Sequence, residues 1–183
     1  KLLNDNNAQE LSEITNGDLK KGVLLTGSSG HAEVYTLFRV PAEMHRFFQN
    51  NFASARMVHY YDLWMQEDKK EGVQVVFYPN ELLVRIIKNG QLQLLQNFTY
   101  QSPEDAAYYL LTLYAQYNFS PEELSLLVSG MIIQDSAIYE ELLKYFRAIE
   151  PGAVPASLAL APGFEDYPDH FFSPLLKLAV CAL

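Results

Sequence analysis

Apolar positions along this chain switch between a period of two and a period near four, and the switches mark its elements. Residues 1–30 are polar and rich in Asn, Gly and Ser, and GSSG at 27–30 reads as a flexible loop. AEVYTLFRV (32–40) then alternates, with Val34, Thr36, Phe38 and Val40 on one face, which predicts a strand. Pro41 and Glu43 suit a first helical turn, and Met44, Phe47 and Phe48 give a short helix its apolar face. ARMVHY (55–60) reads as a second strand and YYDLWMQED (60–68) as a second helix.

From Glu71 the pattern changes. Val73, Val75 and Phe77 alternate with Gln74, Val76 and Tyr78; Pro79-Asn80 is a turn; LLVRIIK (82–88) is the next strand. Asn89-Gly90 is a strong hairpin signal because both residues tolerate positive φ. QLQLLQNFTY (91–100) closes a three-stranded meander, with Leu92, Leu94 and Phe98 expected on one face. Ser102, Pro103 and Asp105 form a helix start, with Ala106, Leu110, Leu113, Tyr114 and Tyr117 as its buried stripe. The run 124–128 within LSLLVSG predicts a buried central strand. DSAIYEELLKYFRAI (135–149) predicts a helix, with Ile138, Leu142, Tyr145, Phe146 and Ile149 inward. PGAVPASLALAP (151–162) suggests one more strand, and Pro174 opens a last helix. The second half therefore runs β-β-β-α-β-α-β-α.

Composition narrows the function classes. The 183 residues are 49% hydrophobic, which is a globular composition with room for one large or two small domains. The net charge of -9, with no basic cluster, argues against a nucleic-acid surface. Cys181 is the only cysteine; a reducing, cytoplasmic setting is expected, and the thiol sits on an apolar helix face as an inert buried group. No apolar run is long enough to span a bilayer, and the polar start carries no signal peptide. The chain opens on Lys1 rather than Met, which fits a trimmed or partial chain.

The order of three antiparallel strands followed by alternating helices and strands, with Gly130 directly after the fourth strand, resembles the second ribonuclease-H-like domain of the actin-like ATPases. More narrowly, FYPNELLVRIIKNGQLQLLQNF, SPEDAAYYLL, LVSGMIIQDSAIYEELLKYF and FEDYPDHFFSPLLKLAVCAL are similar to an uncharacterised family of Bacteroidetes-type bacteria, distantly like bacterial cell-division and pilus-assembly proteins. The resemblance covers residues 33–183. It implies an α/β class with a mixed sheet and an actin-like ATPase fold whose first domain is incomplete. Residues 1–71 would be the remnant of that domain (β-α-β-α from about 32), and 72–183 the second domain.

In such a fold, glycine-rich turns present backbone N–H groups to phosphates, and nearby acids hold Mg²⁺ through water. The second of these turns falls here on Phe77-Tyr78-Pro79-Asn80, which has no Asp and no Gly. Pro79 lacks a donor, and Glu81 is the only acid nearby. The adenosine motif falls on Ser129-Gly130-Met131, where one glycine of a pair survives. Pro79, Asn80, Ser129 and Gly130 are therefore the cofactor positions the resemblance implies, with no cofactor expected beyond a vestigial nucleotide. His170, near Glu165, Asp166 and Asp169, belongs to the densest acid–histidine cluster; it reads as a solvated loop or a cation site. No catalytic residue and no metal-ligand spacing is found. Tyr108, Tyr109, Tyr114 and Tyr117 fall on one helix, more than a single buried stripe holds, and any surplus exposed tyrosines would suit a protein-binding face. The expected function is a non-catalytic scaffold or interaction module with an unidentified protein partner. The alternatives are a nucleotide-binding switch whose phosphate residues lie upstream, and a small-ligand domain using a cleft near Gly130 and Pro79.

Overall fold

The computed structural model describes residues 7–8, 10–11, 21–28, 34–66, 70–154, 158, 163–164 and 166–180. The chain divides into two compact units, Lys1–Glu67 and Asp68–Leu183.

In the first unit, β1 (Val23–Ser28) and β2 (Tyr35–Val40) form an antiparallel ribbon, with Val23 opposite Val40 and Gly27 opposite Thr36. The GSSG sequence predicts a loop over 27–30, yet residues 27–28 are strand; 29–30 lie outside the described residues. Gly27 is what permits this, because a Cβ there would lie 2.0 Å from Oδ2 of Asp62 and 2.4 Å from Oγ1 of Thr36. The Thr36 hydroxyl donates to the carboxylate of Asp62, which is buried on α2 (Tyr60–Gln66) and so ties helix to ribbon. Between them lies α1 (Ala42–Asn51), with Pro41 at its N-cap. Its apolar face exists as expected yet is open: Met44 is 50% exposed, Phe47 56% and Phe48 39%. The strand expected at 55–60 does not form. Residues 55–59 are irregular, since alternation alone makes no strand without a neighbour to pair with.

The second unit has the order β3 (Gly72–Phe77), β4 (Glu81–Lys88), β5 (Gln91–Thr99), α3 (Pro103–Gln116), β6 (Leu126–Gly130), α4 (Ala137–Leu143), β7 (Ile149–Pro151) and α5 (Ser173–Val180). Its mixed sheet is ordered β5-β4-β3-β6-β7, antiparallel through β5-β4-β3 and parallel through β3-β6-β7. Asn89 (φ 54°) and Gly90 (φ 70°) make the tight turn their sequence predicts. Val73, Val75, Phe77, Leu82, Val84, Ile86, Leu126 and Val128 share one face of the sheet and pack in a single core with Ala106, Ala107, Leu110, Leu113 and Tyr114 of α3 and with Leu142 and Phe146. Each fully buried Val, Leu, Ile or Phe of this core contributes about 1.5–3 kcal/mol on burial. Val76, Leu83, Arg85 and Ile87 on the opposite face are buried too, so β4 is covered on both faces, with Arg85 the one charge between its ends.

Three sequence details shift. Leu92 pairs with Ile87 while Leu94 pairs with Ile86, which leaves Gln93 unmatched and moves Leu92 off the face of Leu94 and Phe98. The helix expected over 135–149 ends at Leu143, after which Arg147 N–H turns away to Pro121 O, and Tyr145 is exposed. The last strand among the described residues is Ile149–Pro151, which reaches only the start of the 151–162 stretch the sequence suggests; residues 155–157 and 159–162 of that stretch lie outside the described residues.

Candidate functional site

The parallel register of β3 with β6 places Phe77 beside Gly130. It therefore brings the Tyr78-Pro79-Asn80 turn and the Ser129-Gly130-Met131 strand end to the same end of the sheet, at the C-termini of β3 and β6. What those residues do there is set by their hydrogen bonds.

In the turn, Tyr78 N–H donates to Glu81 O at 2.9 Å, Tyr100 N–H donates to Asn80 O at 3.0 Å, and the Tyr100 hydroxyl donates to Tyr78 O at 2.7 Å. Pro79 has no N–H to offer. Burial raises the pKa of both Tyr78 and Tyr100, with Glu81 adding to the effect on Tyr78, so both phenols stay protonated at neutral pH. The Tyr78 N–H and the carbonyls of Tyr78, Asn80 and Glu81 are thus engaged within the chain.

At the end of β6, Gly130 N–H donates to His170 O at 3.0 Å, Met131 N–H to Phe77 O at 2.8 Å, and Ile132 N–H to Gly130 O at 2.8 Å. Gly130 has φ +81°, and a Cβ there would lie 2.4 Å from Phe77 O. Ser129 is buried against Gly152, where an added Cβ would sit 2.1 Å from Ser129 Oγ. Gly152 N–H in turn donates to Val128 O at 2.7 Å. Chain closeness, on this evidence, is what the glycines supply.

His170 is the group that the sequence placed and the structure reinterprets. It is buried, its Nε2 lies 2.7 Å from Ile132 O, and its own carbonyl accepts from both Gly130 and Ser173. It fastens the segment before α5 to the end of β6. Asp166 and Asp169 are exposed, and Glu165 lies outside the described residues. Among the described residues no group of three or more His, Cys, Asp or Glu could hold a metal ion. Cys181 also lies outside the described residues.

A nucleotide phosphate at this position would need free backbone donors and acids for Mg²⁺. The residues present do not fit that requirement. The N–H groups of Tyr78, Gly130, Met131 and Ile132 are all engaged within the chain, Pro79 has none, and Glu81 is the only acid in the turn.

Two buried polar groups lie outside the residues that the sequence singles out. Arg85, buried in the middle of β4, donates from Nη1 to Oε1 of Gln74 on β3 at 3.0 Å. Its signal was a lone cation inside LLVRIIK, a strand apolar on both faces. Asp62 gave no signal, because its partners Thr36 and Gly27 come from a ribbon whose first strand read as a loop. Within the first unit, a groove of about 760 Å³ runs along α1, lined by Phe38, Met44, Phe48, Phe52, Arg56 and Met57 among others. No helix among the described residues is long and apolar enough to cross a membrane.

A family described as "Protein of unknown function (DUF3822)" matches residues 2–149. No curated protein matches the chain. Among solved structures, the chain is similar to a Bacteroides thetaiotaomicron protein described as having an actin-like ATPase fold and unknown function. The TM-score is 0.75 at 16% sequence identity, over 98% of this chain and 67% of that one. At that identity the likeness establishes the fold: a mixed α/β, actin-like ATPase architecture.

Proposed function

We propose, on the premise that the chain belongs to the DUF3822 family of proteins of unknown function, that it is a non-catalytic scaffold or protein-interaction module built on an actin-like ATPase fold. The observation that carries this is the closure of the strand-end donors. Tyr78, Gly130, Met131 and Ile132 spend their N–H groups on Glu81, His170, Phe77 and Gly130, and Pro79 brings none. Pro79, Asn80, Ser129 and Gly130 are then remnants of a nucleotide position, kept for chain geometry. The charge of -9 supports a protein partner over a nucleic acid, and the single cysteine supports a reducing, cytoplasmic setting.

Isothermal titration of Mg-ATP into the protein tests the reading. The expected result is no saturable heat. Tight, Mg²⁺-dependent binding would overturn the proposal in favour of a nucleotide switch whose phosphate contacts are made by other residues.

A further inference from the structure

The two edges of the five-stranded sheet are treated differently by the sequence. β7 is three residues long and ends in Pro151, so it offers almost nothing to a further strand. β5 is nine residues long, and QLQLLQNFT contains no Asp, Glu, Lys, Arg, Pro or Gly. Among the described residues no strand lies beyond it. Every second residue of β5 points its N–H and C=O away from β4. Proteins normally blunt such an edge with charge, proline, shortness or a bulge. Here the one irregularity, at Gln93, leaves the stretch from Leu94 onward regular.

We propose that β5 pairs antiparallel with β5 of a second copy of this chain, on a two-fold axis passing beside Gln96. Two chains of net charge -9 repel, so a second copy can approach with least repulsion along an uncharged strand such as β5. Register is what favours this occupant. Centring the pair on Gln96 uses the unbulged part of the strand, sets Leu94 opposite Phe98 twice, Leu95 opposite Asn97 twice, and Gln96 opposite itself. Each Leu–Phe pair lies on the core face of the sheet, since Leu94 and Phe98 pair with Ile86 and Leu82. Aliphatic–aromatic cross-strand pairs of this kind stabilise antiparallel sheets. The helix layer continues the surface. Phe98 packs on Tyr109 at 5.2 Å, Tyr109 lies against Tyr108 at 5.9 Å, and Tyr108 is 66% exposed. A two-fold at Gln96 gives that tyrosine a partner surface, and it joins two five-stranded sheets into one. The interface is isologous, so it closes at two copies. It requires nothing of the strand ends of β3 and β6, and so stands apart from the nucleotide question.

The test is molar mass by light scattering on the intact chain and on two variants at Gln96, an exposed side chain whose replacement leaves the core alone. The wild type is expected at twice the chain mass. Gln96→Lys and Gln96→Glu each place like charges face to face on the axis, and each is expected at the monomer mass. An equimolar mixture of the two is expected to recover the dimer mass through a Lys–Glu pair. A monomeric wild type up to its solubility limit overturns the proposal. So does a dimer that both variants retain, or one lost with Phe48→Asp on α1 while Gln96→Lys retains it.

Discussion

At the scale of single residues, Gly130 and Gly90 share a left-handed backbone and differ in what stands beside them. A Cβ on Gly90 meets nothing within 4 Å, whereas one on Gly130 lies 2.4 Å from the Phe77 carbonyl oxygen, which already accepts from Met131. Gly90→Ala should therefore lose only the conformational strain, about 1–2 kcal/mol. Gly130→Ala should lose more than that, with its urea midpoint below that of Gly90→Ala at an unchanged m-value. Equal midpoints would mean that the Phe77 contact relaxes freely. The need for a glycine at a strand end was legible from sequence; the reason was not, because it comes from a parallel neighbour far along the chain. His59 gives a second residue-scale expectation. Its Nδ1 accepts the Tyr61 N–H at 3.2 Å, its ring lies against Phe38 and Tyr61, and burial lowers its pKa below 6.5 while Asp62 partly opposes the shift. The folded chain thus prefers the neutral ring. That contribution is present above pH 6.5 and is lost as pH falls through the lower folded-state value. His59→Phe should lose less stability than the wild type between pH 7 and pH 5, as read by denaturant midpoints; parallel pH profiles would remove His59 from the account.

At the scale of elements, what was legible in advance is what is decided locally. Ser102 accepts from Asp105 N–H at 3.2 Å and Asp105 Oδ2 accepts from Ser102 N–H at 3.1 Å, the reciprocal cap that the SPED sequence spells out. Ser102→Ala should lower stability by about 1 kcal/mol. Because α3 carries Leu110, Leu113 and Tyr114 into the core, that loss should appear in the global unfolding midpoint. Fraying confined to the first turn, seen by hydrogen exchange with no midpoint change, would be the contrary result. The Asn89-Gly90 turn was legible for the same local reason. The elements that sequence misjudged depend on distant partners. Residues 55–59 alternate like a strand and pair with no strand among the described residues, while β1 ends in the small residues Thr26, Gly27 and Ser28 and gains a neighbour in β2. The slip of Leu92 to the other face arises from a pairing irregularity between β4 and β5 that alternation within one strand cannot report.

At the scale of the whole molecule, the candidate site was legible only through topology. Nothing in the composition of Tyr78-Pro79-Asn80 or Ser129-Gly130 points to the other; the parallel β3–β6 register does. The hydrogen bonds that occupy their donors could not be read, since one of them comes from His170, in a segment that looked like a solvated loop. The same uneven distribution of partners bears on stability. Among the described residues, the buried apolar side chains of the first unit are Ala8, Trp64 and Met65, whereas the second unit buries those of β3, β4 and β6 together with the facing sides of two helices. α1 buries none. Burial is the main favourable term in folding, so the first unit should open at lower free energy than the second. Trp64 is the chain's one tryptophan, is 2% exposed and belongs to the first unit, so its emission reports on that unit. Far-UV ellipticity is dominated by the second unit's strands and α3. In a urea titration, the red shift of Trp64 should come to completion before most of the ellipticity is lost. Coincident curves from the two probes would show that the chain unfolds as one cooperative body, with the first unit drawing its stability from contacts beyond its own small core.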